Sequence, residues 1–203
     1  MKIVIMGGTF DPIHIGHLIL GETAYHECGL DTVFFMPSGN PPHKRHREGR
    51  ASDSQRRDMV SLAIRDNPHF TLSDREMHSE GYTYTYQTLE AMREENPADE
   101  LFFILGEDSL ADFDKWREPG RICAACTIVA AARNTDGNES LDAHIAYAEK
   151  KWNARIHKMQ TRNIDISSNM LRDMIACGRP VRYYVPEAVR DYIITNGIYR
   201  KPV

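Results

Sequence analysis

The stretch Lys2-Ile3-Val4-Ile5-Met6-Gly7-Gly8-Thr9-Phe10-Asp11-Pro12-Ile13-His14-Ile15-Gly16-His17 decides the fold. Residues 2–6 are a short apolar run, Gly7-Gly8 stops it, and apolar residues then recur at helical spacing from about 15 to 28. The segment reads as strand, glycine turn, helix. The same order suits a polyphosphate. Glycines let phosphate oxygens approach the backbone, a helix start offers N–H groups without intrahelical partners, and His14 and His17 lie three residues apart on one face. A lone histidine would read as packing or capping. As a set, Gly7, Gly8, Thr9, Phe10, Gly16, His14 and His17 are candidate triphosphate contacts.

Working outward, the alternation continues. Residues 32–36 predict a strand, 37–50 a long Pro- and Gly-containing basic loop, 54–67 a helix, 70–73 a strand and 85–95 a helix. The apolar runs 101–105 and 127–132 read as buried parallel strands, stopped by Gly106 and by Arg133-Asn134. Helix is expected over 141–155, strand over 156–159, a helix opened by Ser167 and ended by Gly178, and a last helix over 186–196. Repeated strand-helix units predict an α/β fold, a Rossmann-like doubly wound parallel sheet with ligand at the carboxyl ends of its strands. The expected organisation is one domain over 1–203, with 163–203 as a small C-terminal helical part packed on it.

Composition narrows the function. With 25 Lys+Arg against 29 Asp+Glu the formal charge is −4, which argues against a sequence-independent grip on a nucleic acid polymer. Phosphate binding is then expected to be local. Cys28, Cys123, Cys126 and Cys177 are scattered; Cys123-Ala-Ala-Cys126 lacks a second ligand pair for zinc and reads as structural. No segment approaches the roughly 20 apolar residues of a membrane span, so a soluble, cytoplasmic protein without a dedicated metal site is expected. A homo-oligomer is left open.

Two common phosphate motifs are missing: there is no G-x-x-x-x-G-K-[ST], and Gly7-Gly8 lacks the rest of G-x-G-x-x-G. His14-Ile15-Gly16-His17 instead resembles the H-x-G-H signature of a nucleotidyltransferase superfamily. That resemblance implies transfer of a nucleotide monophosphate from a nucleoside triphosphate without a covalent enzyme intermediate, with His14 and His17 on the triphosphate. Pro41-Pro42-His43-Lys44 resembles a loop of bacterial nicotinate mononucleotide adenylyltransferases, which implies that Lys44 meets phosphate. Ile166-Ser167-Ser168-Asn169-Met170-Leu171-Arg172 is similar to the superfamily's I-S-S-T-x-I-R segment, and implies a second anion site with Arg172 one turn beyond Ser168. Asn169 stands where threonine is usual.

Which acceptor is used depends on the middle of the chain. Glu76 to Thr85, then Thr88-Leu89, resembles E-L-x-R-x-G-x-S-Y-T followed by T-L of the nicotinate enzymes, with Ser79 in place of an arginine. Free N–H groups where a helix begins at Thr83, Tyr84 and Thr85 suit a pyridine carboxylate. Trp116 matches a family tryptophan beside the pyridine ring, Gly106 and Asp108 a segment that meets the nucleotide, and Arg133 an arginine near adenosine. The resemblance runs from Lys2 to about Tyr199. It implies ATP and nicotinate mononucleotide as substrates, nicotinate adenine dinucleotide and pyrophosphate as products, and Mg2+ carried with ATP. The competing readings are an adenylyltransferase for the amide mononucleotide or another phosphate acceptor, and a non-catalytic nucleotide sensor.

Overall fold

Six strands alternate with eight α-helices in a computed structural model that describes residues 1–39, 49–78, 82–132, 139–161 and 164–200. The strands are β1 (Lys2–Gly8), β2 (Thr32–Pro37), β3 (Phe70–Leu72), β4 (Glu100–Gly106), β5 (Thr127–Ala131) and β6 (Ile156–Met159). They form one sheet in the order β3-β2-β1-β4-β5-β6. This is the doubly wound order, in which the direction of winding reverses beside the first strand. Registers pair Val4 with Phe102, Phe102 with Thr127 and Ile128 with Ile156, all parallel. Parallel strands covered on both faces have no wet side, so β4 shows five consecutive buried residues, Leu101 to Leu105.

The helices are α1 (Ile15–Glu27), α2 (Asp53–Ile64), α3 (Thr85–Glu95), α4 (Glu107–Ala111), α5 (Pro119–Ala125), α6 (Glu139–Trp152), α7 (Ser168–Ala176) and α8 (Glu187–Thr195). Ser52 and Gln55 form a reciprocal capping box at the start of α2, one residue ahead of the predicted helix. α6 ends earlier than its pattern suggests, because Asn153 adopts φ 50, a left-handed conformation that stops a helix. α4, α5 and the 3-10 turn Phe113–Lys115 have no counterpart in the sequence reading. They are too short for a periodic signal, and α5 opens on Pro119 directly after Glu118 in the left-handed region.

The chain divides into two compact units. Unit 1 comprises Met1–Gly7, Leu20–Phe34 and Tyr84–Ile164; unit 2 comprises Gly8–Ile19, Phe35–Thr83 and Asp165–Val203. Val4, Leu89, Ile122, Ile128 and Leu141 are fully buried in the first, and Phe10, Phe35, Met59, Leu171 and Val189 in the second. Among the described residues, no helix is long and apolar enough to cross a membrane.

Cys123 and Cys126 lie in the core of unit 1. Burial pushes their thiols up to about 11 and about 12, and the Cys126 thiol donates to the carbonyl of Ile122 at 3.4 Å. Cys177 is exposed. A thiol reagent at pH 8 is therefore expected to label Cys177 first and to reach Cys123 and Cys126 only in denaturant, because the thiolate is the reactive form. Labelling followed by peptide mass spectrometry checks this order; prompt native labelling of Cys123-Ala-Ala-Cys126 would contradict the burial.

Candidate active site

Unit 2 carries the loop that leaves β1. A Cβ on Gly8 would lie 3.2 Å from the Phe10 ring, and Phe10 itself takes φ 48. Its ring is buried against Phe35 with centroids 6.0 Å apart and meets His17 edge-on at 5.0 Å. The apolar anchor thus turns the loop that follows β1.

The two histidines are coupled. His14 donates its backbone N–H to His17 Nδ1 at 3.2 Å, and the rings lie 3.7 Å apart at 30°. A neutral imidazole that accepts at Nδ1 carries its proton on Nε2. Burial, and after it the neighbouring His14, holds His17 well below the usual histidine range, so at neutral pH the ring is an uncharged Nε2–H donor. Two of the expected helix-start donors are already used: Ile15 N–H bonds the carbonyl of Tyr184 and His17 N–H that of His14. The start of α1 therefore offers fewer unpaired backbone donors than helix geometry alone suggests.

The structure brings the segment 166–172 to this loop within the same unit. Ser167 caps α7 by accepting from Met170 N–H, as its position predicts, while Ser168 Oγ donates to the carbonyl of Pro12 at 2.9 Å. Arg172 Nη1 donates to the carbonyl of Asp11 and Nη2 to Asn169 Oδ1, and Nη1 lies 3.7 Å from Asp11 Oδ2. Burial lowers the Arg172 guanidinium from its ordinary value, while the Asp11 carboxylate works against that shift. Lys44 and Ser79 lie outside the described residues.

Three residues that sequence reasoning passed over organise this unit. Arg56, 3% exposed, donates to the carbonyls of Thr9 and Ser38 at 2.7 and 2.6 Å and pairs with Asp53, so one buried guanidinium joins the chain after β1 to the chain after β2. Gly39 makes room beside it, since a Cβ there would sit 2.3 Å from the carbonyl oxygen of Glu76. Asp11 accepts from Arg50, from Ala51 N–H and from the Tyr199 hydroxyl. A charged residue on the inner face of α2, and the aspartate inside the glycine motif, were the available signals.

Unit 1 holds α3, α4 and Trp116. Tyr84 is the N-cap of α3 without a side-chain cap, and Gln87 and Thr88 N–H bond back to its carbonyl. The Oγ1 of Thr83, in unit 2, is buried with no hydrogen-bond partner among the described residues. Trp116 follows the 3-10 turn and packs on Phe113 at 5.7 Å and Phe103 at 6.2 Å. Its turn is pinned by Asp114, whose carboxylate accepts from Tyr147, Lys151 and Trp152 and is held below the usual range by those donors, Lys151 first. Gly106 ends β4 and caps α4, which places Asp108 in a helical first turn. Arg133 lies outside the described residues.

A doubly wound sheet with a glycine loop, paired histidines and an arginine at a capped helix defines a nucleotide-handling class, and the cytidylyltransferase-like family model matches residues 5–174. A probable nicotinate-nucleotide adenylyltransferase of Lachnoclostridium phytofermentans is 41% identical over 198 residues, covering 98% of each chain, and one of Geobacter sulfurreducens is 40% identical over 215 residues, also covering 98% of each. A solved structure, Plasmodium falciparum nicotinic acid mononucleotide adenylyltransferase complexed with NaAD, shares the fold with a TM-score of 0.81 at 21% identity, covering 98% of this chain and 97% of its own. The chain belongs to the nicotinate-nucleotide adenylyltransferase family. Nucleotidyltransferases of this kind handle ATP with a divalent metal.

Proposed function

We propose that this chain joins nicotinate mononucleotide to the AMP part of ATP, giving nicotinate adenine dinucleotide and pyrophosphate for NAD biosynthesis in the cytoplasm. The observation that carries the proposal is the loop of the H-x-G-H motif, where His14 N–H donates to His17 Nδ1 and the two rings lie 3.7 Å apart, in a chain 41% identical along its length to a probable nicotinate-nucleotide adenylyltransferase. In the reaction a phosphate oxygen of the mononucleotide attacks the α-phosphorus of ATP. The bond from that phosphorus to the bridging oxygen breaks, and pyrophosphate leaves with the electron pair. Such a transfer needs alignment and charge stabilisation more than a protein nucleophile.

His14 and His17 supply donors to the transferring phosphate, and Lys44 and Arg172 neutralise the outer phosphates. Gly7, Gly8, Thr9, Phe10 and Gly16 admit the triphosphate to the backbone. Gly106, Asp108 and Arg133 hold the nucleoside part, and Ile166, Ser167 and Ser168 belong with Arg172 to the second anion site, at a helix start that Ser167 itself caps. Thr83, Tyr84, Thr85 and Trp116 take the acceptor: the helix start receives the carboxylate and the indole stacks on the pyridine. Mg2+ arrives as part of the ATP complex and spreads the polyphosphate charge.

Incubating the protein with ATP, Mg2+ and either pyridine mononucleotide, and resolving products by chromatography, tests the reading. Nicotinate adenine dinucleotide and pyrophosphate are expected in equal amounts. ATP binding without any dinucleotide would overturn it in favour of a nucleotide sensor.

A further inference from the structure

Asp11 is a carboxylate only 1% exposed, and the structure gives it partners from three separated stretches of unit 2. Arg50 Nη1 meets Oδ2 at 3.1 Å. Ala51 N–H donates to Oδ1 at 3.1 Å, and the Tyr199 hydroxyl to the same oxygen at 2.7 Å. Arg172 Nη1 bonds the main-chain carbonyl of Asp11 and stands 3.7 Å from Oδ2. A buried carboxylate needs its charge balanced, and here two arginines and two neutral donors share that task.

That sharing bears on Arg172. A guanidinium offers five N–H donors, of which Asp11 and Asn169 engage two, so most of the fork remains for a phosphate. Where the fork points depends on how strongly Asp11 draws it. Tyr199 sets that draw: its hydroxyl is kept protonated by burial and by the adjacent Asp11 charge, so it donates at any working pH. Without it, Oδ1 would keep only the Ala51 N–H, and more of the carboxylate charge would fall to Arg50 and Arg172.

We propose that Asp11 is a positioning residue for Arg172, balanced by Tyr199 and Arg50 so that the guanidinium stays directed at the triphosphate. The inference rests on the reading of Arg172 as an ATP contact. A residue that only held the fold would disturb both substrates alike; a residue acting through Arg172 acts on ATP.

The test is a double-mutant cycle in steady-state kinetics with Tyr199→Phe, Arg172→Ala and the pair, with KM measured for ATP and for the acceptor separately. Tyr199→Phe, which removes one hydroxyl and keeps the ring, is expected to raise KM for ATP by about 3- to 10-fold, the range of one charge-assisted bond, and to leave KM for the acceptor unchanged. In the Arg172→Ala background it should add nothing. Equal effects on both substrates, or full additivity with Arg172→Ala, would overturn the positioning role. A normal Tyr199→Phe beside an impaired Arg172→Ala would do the same while leaving the ATP contact standing. An unaffected Arg172→Ala would remove the contact and the inference together.

Discussion

His17→Ala is expected to lower kcat by about 10²–10³-fold, the usual loss when one donor aimed at a developing charge is removed. His17 is neutral and its Nδ1 is occupied by the His14 N–H, so the side chain has one remaining polar task, donation from Nε2. Methyl replacement keeps the backbone of the loop but leaves the buried His14 N–H without its acceptor and removes the ring that lies against His14. The ring contributes an edge contact to Phe10, but the Phe10 ring is also packed on Phe35. The stability loss should be about 1–3 kcal/mol, set mainly by the His14 N–H left without its acceptor, and circular dichroism is expected to show a protein that remains folded. Turnover near the parent's in a folded His17→Ala protein would remove His17 from the mechanism.

The same histidine gives a pH expectation. Its folded pKa is depressed below the ordinary value, so as pH falls below about 6.5 the unfolded chain takes up a proton that the native chain does not. His17 therefore weakens the fold on the acid side and is silent above neutrality. Loss of the neutral ring should likewise produce no limb in the rate profile between about pH 6.5 and 8.

The second large effect concerns the acceptor. The acid mononucleotide is expected to exceed the amide in kcat/KM by about tenfold to more than a hundredfold, a difference of roughly 1–3 kcal/mol. At the start of α3, Gln87 and Thr88 N–H turn back to the Tyr84 carbonyl, while the structure records no partner for Thr85 N–H among the described residues. A carboxylate there meets a donor and the positive end of the helix dipole; a carboxamide brings no charge and presents its own N–H₂. Thr85→Pro tests this locally. Proline suits the first helical position, and Tyr84, at φ −110 and ψ 137, already has the extended backbone that a following proline requires. The variant should narrow the preference with α3 intact. Equal use of acid and amide by the parent would refute the acceptor reading while leaving adenylyl transfer in place.

Much of this protein was readable from periodicity and punctuation. The apolar runs of β1, β4 and β5, the helical spacing of α1 to α3 and the serine cap of α7 all appear where local patterns place them, because strand burial and helix capping depend on neighbours in sequence. Motif spacing singled out the two histidines as candidates, since residues three apart at a helix start share a face, while Arg172 was picked out by the resemblance of residues 166–172 to a family segment. The sheet order followed only in class. That β1 lies beside β4 is set by how crossover helices pack on both faces, a non-local choice that no window of sequence records.

What the tertiary structure decided is the electrostatic state of the loop. The sequence by itself determined that His17, Arg172, Asp11 and Arg56 exist and that the first two stand in motifs whose resemblance implies anion binding. Only folding buries His17 and sets His14 against it, which together hold the ring below the usual histidine range, with the His14 N–H on Nδ1. Only folding brings Tyr199, 188 residues away in the chain, onto the Asp11 carboxylate, and buries Arg56 beneath the carbonyls of Thr9 and Ser38. Protonation, tautomer and side-chain direction depend on what removes water from a group and which dipoles replace it. Those partners come from distant segments, so they are properties of the packed chain.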